Sequence, residues 1–146
     1  MAEAICRRLR MSNARTERIG ELVAKHMCIR NMPNMRESTR RRFLRQDCFL
    51  QLLELHRADC MGCHGKLDLY EYCQTQLELL SEEQLRPPRL VNGRDLLELG
   101  LETGPLVGRV LRRLEEAQLE GDIESRDQAF AWVRSRYGAS LKEVED

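Results

Sequence analysis

Aromatic residues make up only 5% of this 146-residue chain, and glycine and proline number nine and four. So little punctuation leaves long uninterrupted stretches, and strict apolar–polar alternation is nearly absent. A sheet-built fold is thereby excluded and the class reads as all-α. No apolar run approaches the roughly 20 residues that span a bilayer. Arginines stand near the N-terminus without an apolar stretch behind them, so no signal peptide is expected and the chain reads as cytoplasmic, with no membrane partner. Histidine is scarce as well. His26, His56 and His64 stand apart, none is followed by Asp, and none forms a His-x-x-x-His pair. Spacing therefore assigns no catalytic residue and no metal-ligand set.

Net charge is also absent overall, but not locally. Residues 1–45 carry a net charge of +8 and the remainder −8, and arginine outnumbers lysine 21 to 3. Such asymmetry points to a polyanionic or acidic partner for the first third. Arginine suits bidentate phosphate contact better than lysine does. Its densest cluster is Arg40-Arg41-Arg42, flanked by Arg36 and Arg45. Arg36, Arg40 and Arg41 fall at helical spacing with Ser38 nearby, while Phe43 and Leu44 anchor the other side. This pattern predicts a basic helix that contacts a phosphodiester backbone without reading bases.

Leu99 to Gly121 carries a second phosphate signal. A short helix stops at Gly100, a Gly104-Pro105 turn follows, and a longer helix opens with bare amides at Gly104, Leu106, Val107 and Gly108. Unpaired N–H groups beside glycines form a natural anion site, with Pro105 at the first helical position and Gly121 at the stop. Arg109, Arg112 and Arg113 lie in the first half of this helix, and Glu115, Glu116 and Glu120 in the second. That order opposes the helix dipole, and an anion at the N-terminus would relieve it.

Along the chain, helices are expected over Ala2–Leu9, from Ser12 to about Met27, over Arg36–Arg45, from an Asp47 cap onward, and over Leu67–Leu80. Asn31–Asn34 reads as a loop around Pro33. Phe49, Leu52, Leu53 and Leu55 are expected to pack inward. Residues 1–85 form a helical body, 86–91 a linker around Pro87-Pro88, and 92–138 a three-helix module. In that module Asn92 caps the first helix and Ser125 with Gln128 forms a capping box for the last. Phe130, Trp132 and Val133 supply the last helix's core contacts, and 139–146 is expected to fray.

Cys60-Met-Gly-Cys63-His64 has the spacing for haem attachment, or for half a zinc site with His56 or Cys73. A second ligand pair is missing, and a reducing compartment opposes haem attachment. The pattern reads first as a helix end with small buried thiols, and a metal- or haem-binding protein stays as an alternative. Asn92-Gly93-Arg94-Asp95, with Asp122 and Glu124 downstream, superficially suggests a two-metal nucleotidyl-transfer site. Such chemistry needs rigidly juxtaposed carboxylates, which helices and a turn do not offer here.

Several segments, in order, resemble bacterial CCA-adding enzymes, the HD-domain-containing type of the tRNA nucleotidyltransferase/poly(A) polymerase family. Leu53-Glu54-Leu55-His56-Arg57-Ala58-Asp59-Cys60, ending at His64-Gly65, is similar to a motif late in that family's body. Met35-Arg36-Glu37-Ser38-Thr39 and Arg42-Phe43-Leu44-Arg45 resemble the basic segment before it. Leu96–Gly100, Gly104–Gly108 and Leu114–Gly121 resemble its tail, and Ala2–Met27 the end of its HD domain. The resemblance implies a tRNA-binding body and tail that holds the acceptor–T arm. It places the catalytic head, and the Mg it would bind, upstream of Met1, so no cofactor is expected in this chain. The expected RNA contacts are Arg36, Ser38, Arg40, Arg41 and Arg45, with Gly104, Leu106, Val107, Gly108, Arg109 and Arg112. A protein-interaction module docking on a separate nucleotidyltransferase head is a further alternative.

Overall fold

The computed structural model describes residues 1–141 and is all-α, with nine α-helices and no strand among them. The helices are α1 (Ala2–Arg8), α2 (Asn13–Lys25), α3 (Glu37–Leu44), α4 (Phe49–Cys63), α5 (Asp68–Leu79), α6 (Glu82–Leu85), α7 (Gly93–Glu98), α8 (Pro105–Glu120) and α9 (Arg126–Tyr137). The chain divides into two compact units. One takes Met1–Met35 and Arg42–Ser81, the other Arg36–Arg41 and the chain from Glu82. The division runs through α3 and falls ahead of Pro87-Pro88.

In the first unit, Ser12 caps α2 as expected, its Oγ accepting the Arg15 N–H at 3.4 Å. The loop expected around Pro33 is instead a 3-10 helix, His26–Asn34. Its three-residue period sets Ile29 and Met32 on one side, and both are fully buried. Asp47 does not cap α4. The cap position belongs to Cys48 without a side-chain bond, and the Asp47 carbonyl accepts from the Arg18 guanidinium at 2.9 Å. On α4 the buried positions are Phe49, Leu52, Leu53, His56 and Cys60, whereas Leu55, expected inside, is exposed. The three- and four-residue steps of the helix continue through His56, one residue beyond Leu55. Phe43 meets Phe49 edge-on, with ring centroids 5.4 Å apart, and Cys73 on α5 is fully buried.

The second unit is built around Val91, Leu96, Leu101, Val110, Leu114, Ala117, Ile123, Ala129 and Val133. Each larger side chain of this set contributes roughly 1.5–3 kcal/mol when fully buried. Local signals place its helices well. Asn92 and Asp95 make a capping box on α7, and Ser125 and Gln128 make another on α9. Gly121 ends α8 in the left-handed conformation, φ 86°. Val133 is fully buried as expected, while Phe130 and Trp132 are half-buried at the edge of the core. Beyond α9 a 3-10 turn, Gly138–Ser140, leads to Leu141, which bridges to Leu101. Of the stretch 139–146 expected to fray, residues as far as Leu141 hold this turn and bridge, and the rest lies outside the described residues.

Candidate nucleic-acid interface

The N-terminus of α8 is open. Gly104 holds the cap position with no side-chain bond, and Pro105 occupies the first turn. An α-helix leaves its first N–H groups without intrahelical partners, and here no side chain of the cap covers them. A hollow of about 540 Å³ lies at this end, lined by Thr103, Gly104, Leu106, Arg109 and Leu141, with Glu102 its acid. Leu106 and Val107 are half-buried and pack on the core, and the Val107 N–H donates to the Gly104 carbonyl at 3.2 Å, so of these two only Leu106 offers a backbone N–H. Gly108 is exposed and lines a separate hollow, and a Cβ built there would meet nothing within 4 Å among the described residues. Arg109 is exposed and has no acidic partner among the described residues. Arg112 is exposed on the same helix but lines a second hollow of about 250 Å³, with Arg89, Glu115 and Gln118.

The basic helix presents less charge than its sequence suggests. Glu37 pairs with both Arg40 and Arg41, the latter through Nε at 2.7 Å, and the three side chains keep only about a fifth to a quarter of their surface exposed. Arg41 also reaches the Gln84 carbonyl at 3.5 Å. Ser38 is buried, which removes its side chain from the residues able to touch a phosphate. Its N–H donates to Glu120 Oε1 at 3.1 Å, across 82 positions of sequence. The Ser38 hydroxyl bonds the same carboxylate and holds its pKa below the usual range, with Arg36 and Arg41 adding to the effect. Arg36 is exposed, whereas Arg45 is half-buried and belongs to the first unit.

The structure therefore brings Arg36, Ser38, Arg40 and Arg41 into one unit with Gly104–Arg112, but at opposite ends of α8. Its 16 residues put those ends roughly 24 Å apart at 1.5 Å per residue. Glu120 also gives the acidic second half of α8 a use inside the protein, so the charge order by itself does not require an external anion. Glu37 was readable from its three- and four-residue spacing to Arg40 and Arg41. Glu120 had no local signal.

The Cys60 thiol lies 3.5 Å from His56 Nε2, both buried, whereas Cys63 and His64 are exposed. Burial lowers the His56 pKa, with Arg30 adding to the shift. Among the described residues no three of His, Cys, Asp and Glu converge in a way that could hold a metal. Asp95 is committed to the α7 cap and to Arg126 at 2.7 Å. No described helix is long and apolar enough to cross a membrane.

Comparison with known proteins agrees with the sequence resemblance. Residues 1–133 match the family model described as tRNA nucleotidyltransferase domain 2. The chain is 35% identical over 127 residues to the CC-adding tRNA nucleotidyltransferase of Thermus thermophilus, covering 86% of this chain and 29% of that protein. It is 33% identical over 140 residues to the A-adding tRNA nucleotidyltransferase of Deinococcus radiodurans, covering 89% of this chain and 32% of that one. The chain thus spans about a third of the length of these relatives. No solved structure matches it.

Proposed function

The chain belongs to the tRNA nucleotidyltransferase domain 2 family, and from that premise we propose that it holds tRNA by the phosphate backbone while a catalytic head outside this sequence adds nucleotides. The observation that carries the reading is the open N-terminus of α8. Uncapped amides, the exposed Gly104 and the exposed Arg109, which has no acidic partner among the described residues, meet at one hollow. Backbone N–H groups and arginine are the donors that recur at phosphates. Arg36 at the other end of α8, with Arg40 and Arg41 behind it, forms the second grip. Two grips roughly 24 Å apart favour a folded RNA, whose phosphates are held at fixed separation, over a flexible strand. Recognition of this kind reads shape and charge with little base preference. The acceptor–T arm is the expected partner.

The test is a tRNA titration at two salt concentrations, with a single-stranded RNA of equal length as competitor. Salt-sensitive binding that prefers folded tRNA supports the reading. Absence of binding at low salt overturns it.

One observation favours a second reading, docking on a separate nucleotidyltransferase head. Met1, Ile5 and Leu9, on α1 and its two cap positions, are exposed and recur every four residues. Under that reading the chain binds such a head and ignores free tRNA.

A further inference from the structure

We propose that Glu120 is a positioning residue for RNA binding: from the last turn of α8 its carboxylate caps the first turn of α3 and fixes where the arginines of α3 stand. The proposal rests on the phosphate-grip reading above. Ser38 is the second residue of α3, so its N–H is among those an α-helix leaves without a partner. A local Ser, Thr, Asp or Asn usually accepts such a bond. Here the acceptor comes from 82 residues away and takes the Ser38 hydroxyl as well. Ser38 is buried beneath this contact.

The placement makes sense of a carboxylate at the end of α8. There it opposes its own helix dipole, but it stands at the favourable end of α3. A carboxylate beside Arg36 and Arg41 also lowers the positive potential that RNA would meet. Judged as charge alone, Glu120 opposes RNA binding. Judged as a cap, it favours it by fixing the helix that carries those arginines. The two roles predict opposite signs for the same substitution.

The experiment compares wild type, Glu120→Ala and Glu120→Gln by tRNA titration at two salt concentrations and by hydrogen exchange at the Ser38 amide. Glutamine keeps an acceptor oxygen and drops the charge. Glu120→Ala should expose the Ser38 amide, weaken tRNA binding about fivefold, the equivalent of removing one cap, and flatten the salt slope by about one unit. Glu120→Gln should keep Ser38 protected and bind tRNA at least as well as wild type. If Glu120→Ala binds tRNA as tightly or more tightly, with an unchanged slope, the positioning role is wrong while the phosphate grip stands. If wild type itself shows no salt-sensitive binding, the phosphate grip fails and takes the positioning role with it. Should Glu120→Ala lose helicity, Glu120→Gln decides. Protection kept with undiminished affinity supports the cap, and protection lost with undiminished affinity overturns it.

Discussion

Helix α3 and the first half of α8 are both rich in arginine, yet they present it differently. On α3, Glu37 takes Arg40 and Arg41, Glu120 stands close to Arg36 and Arg41, and Ser38 is buried. On α8, Arg109 and Arg113 are exposed and meet no acid among the described residues, and the helix end beside Arg109 lacks a side-chain cap. A run of like charges in a sequence is thus a poor measure of the potential a ligand meets. The nearest acids within the fold decide it.

The largest expected effect comes from the cores. Leu96 belongs to the unit that holds both the start of α3 and all of α8, and Leu52 to the other unit. Either one changed to Ala should cost about 2–5 kcal/mol. Hydrogen exchange should show Leu96→Ala loosening the α8 amides and Ser38 together, while Leu52→Ala loosens α4 first. Equal loosening of α8 by both would mean that the units do not respond separately.

Next comes the arginine contrast itself. Arg109→Ala with Arg113→Ala should flatten the salt slope of tRNA binding by about two units, one for each phosphate no longer neutralised. Arg40→Ala with Arg41→Ala should flatten it by less, since both guanidiniums are already held by Glu37. Equal slopes for the two double variants would erase the distinction drawn between the helices.

A smaller effect separates the units by pH. The His56 pKa is lowered in the fold from 6.5, chiefly by burial. The unfolded chain therefore takes up the proton first. Stability from this group is whole above about pH 6.5, falls as pH drops below it, and levels off only below the folded pKa. His56→Gln should remove that dependence. The only tryptophan, Trp132, lies in the other unit. Its fluorescence melt should shift less with acid than the far-UV melt, and identical shifts would tie the two units together.

Local devices were legible in the sequence: the boxes at Asn92 and Ser125, the Gly121 stop and the bare start of α8. Each of these is an arrangement within a few residues. Leu55 is apolar yet exposed because the helical period on α4 continues through His56. Asp47 is a capping residue type that stands one position before the cap, which Cys48 occupies. Ser38 and Glu120 were beyond the reach of sequence. Their bond crosses 82 positions, and no spacing rule announces a pairing that only the fold creates.

The smallest expected effect is the sharpest for the open end of α8. Gly108 sits inside a helix, exposed, with nothing within 4 Å of a would-be Cβ. Nothing among the described residues requires glycine there, and alanine should stabilise the helix by roughly 0.5–1 kcal/mol. A glycine kept at that cost is expected where a ligand's backbone must come close. Gly108→Ala should therefore raise the melting temperature by a few degrees and weaken tRNA binding. The two changes carry opposite signs, so a general loss of structure cannot imitate them. A variant that is more stable and binds tRNA unchanged would move the phosphate contact off Gly108 and confine it to the hollow beside Gly104, Leu106 and Arg109.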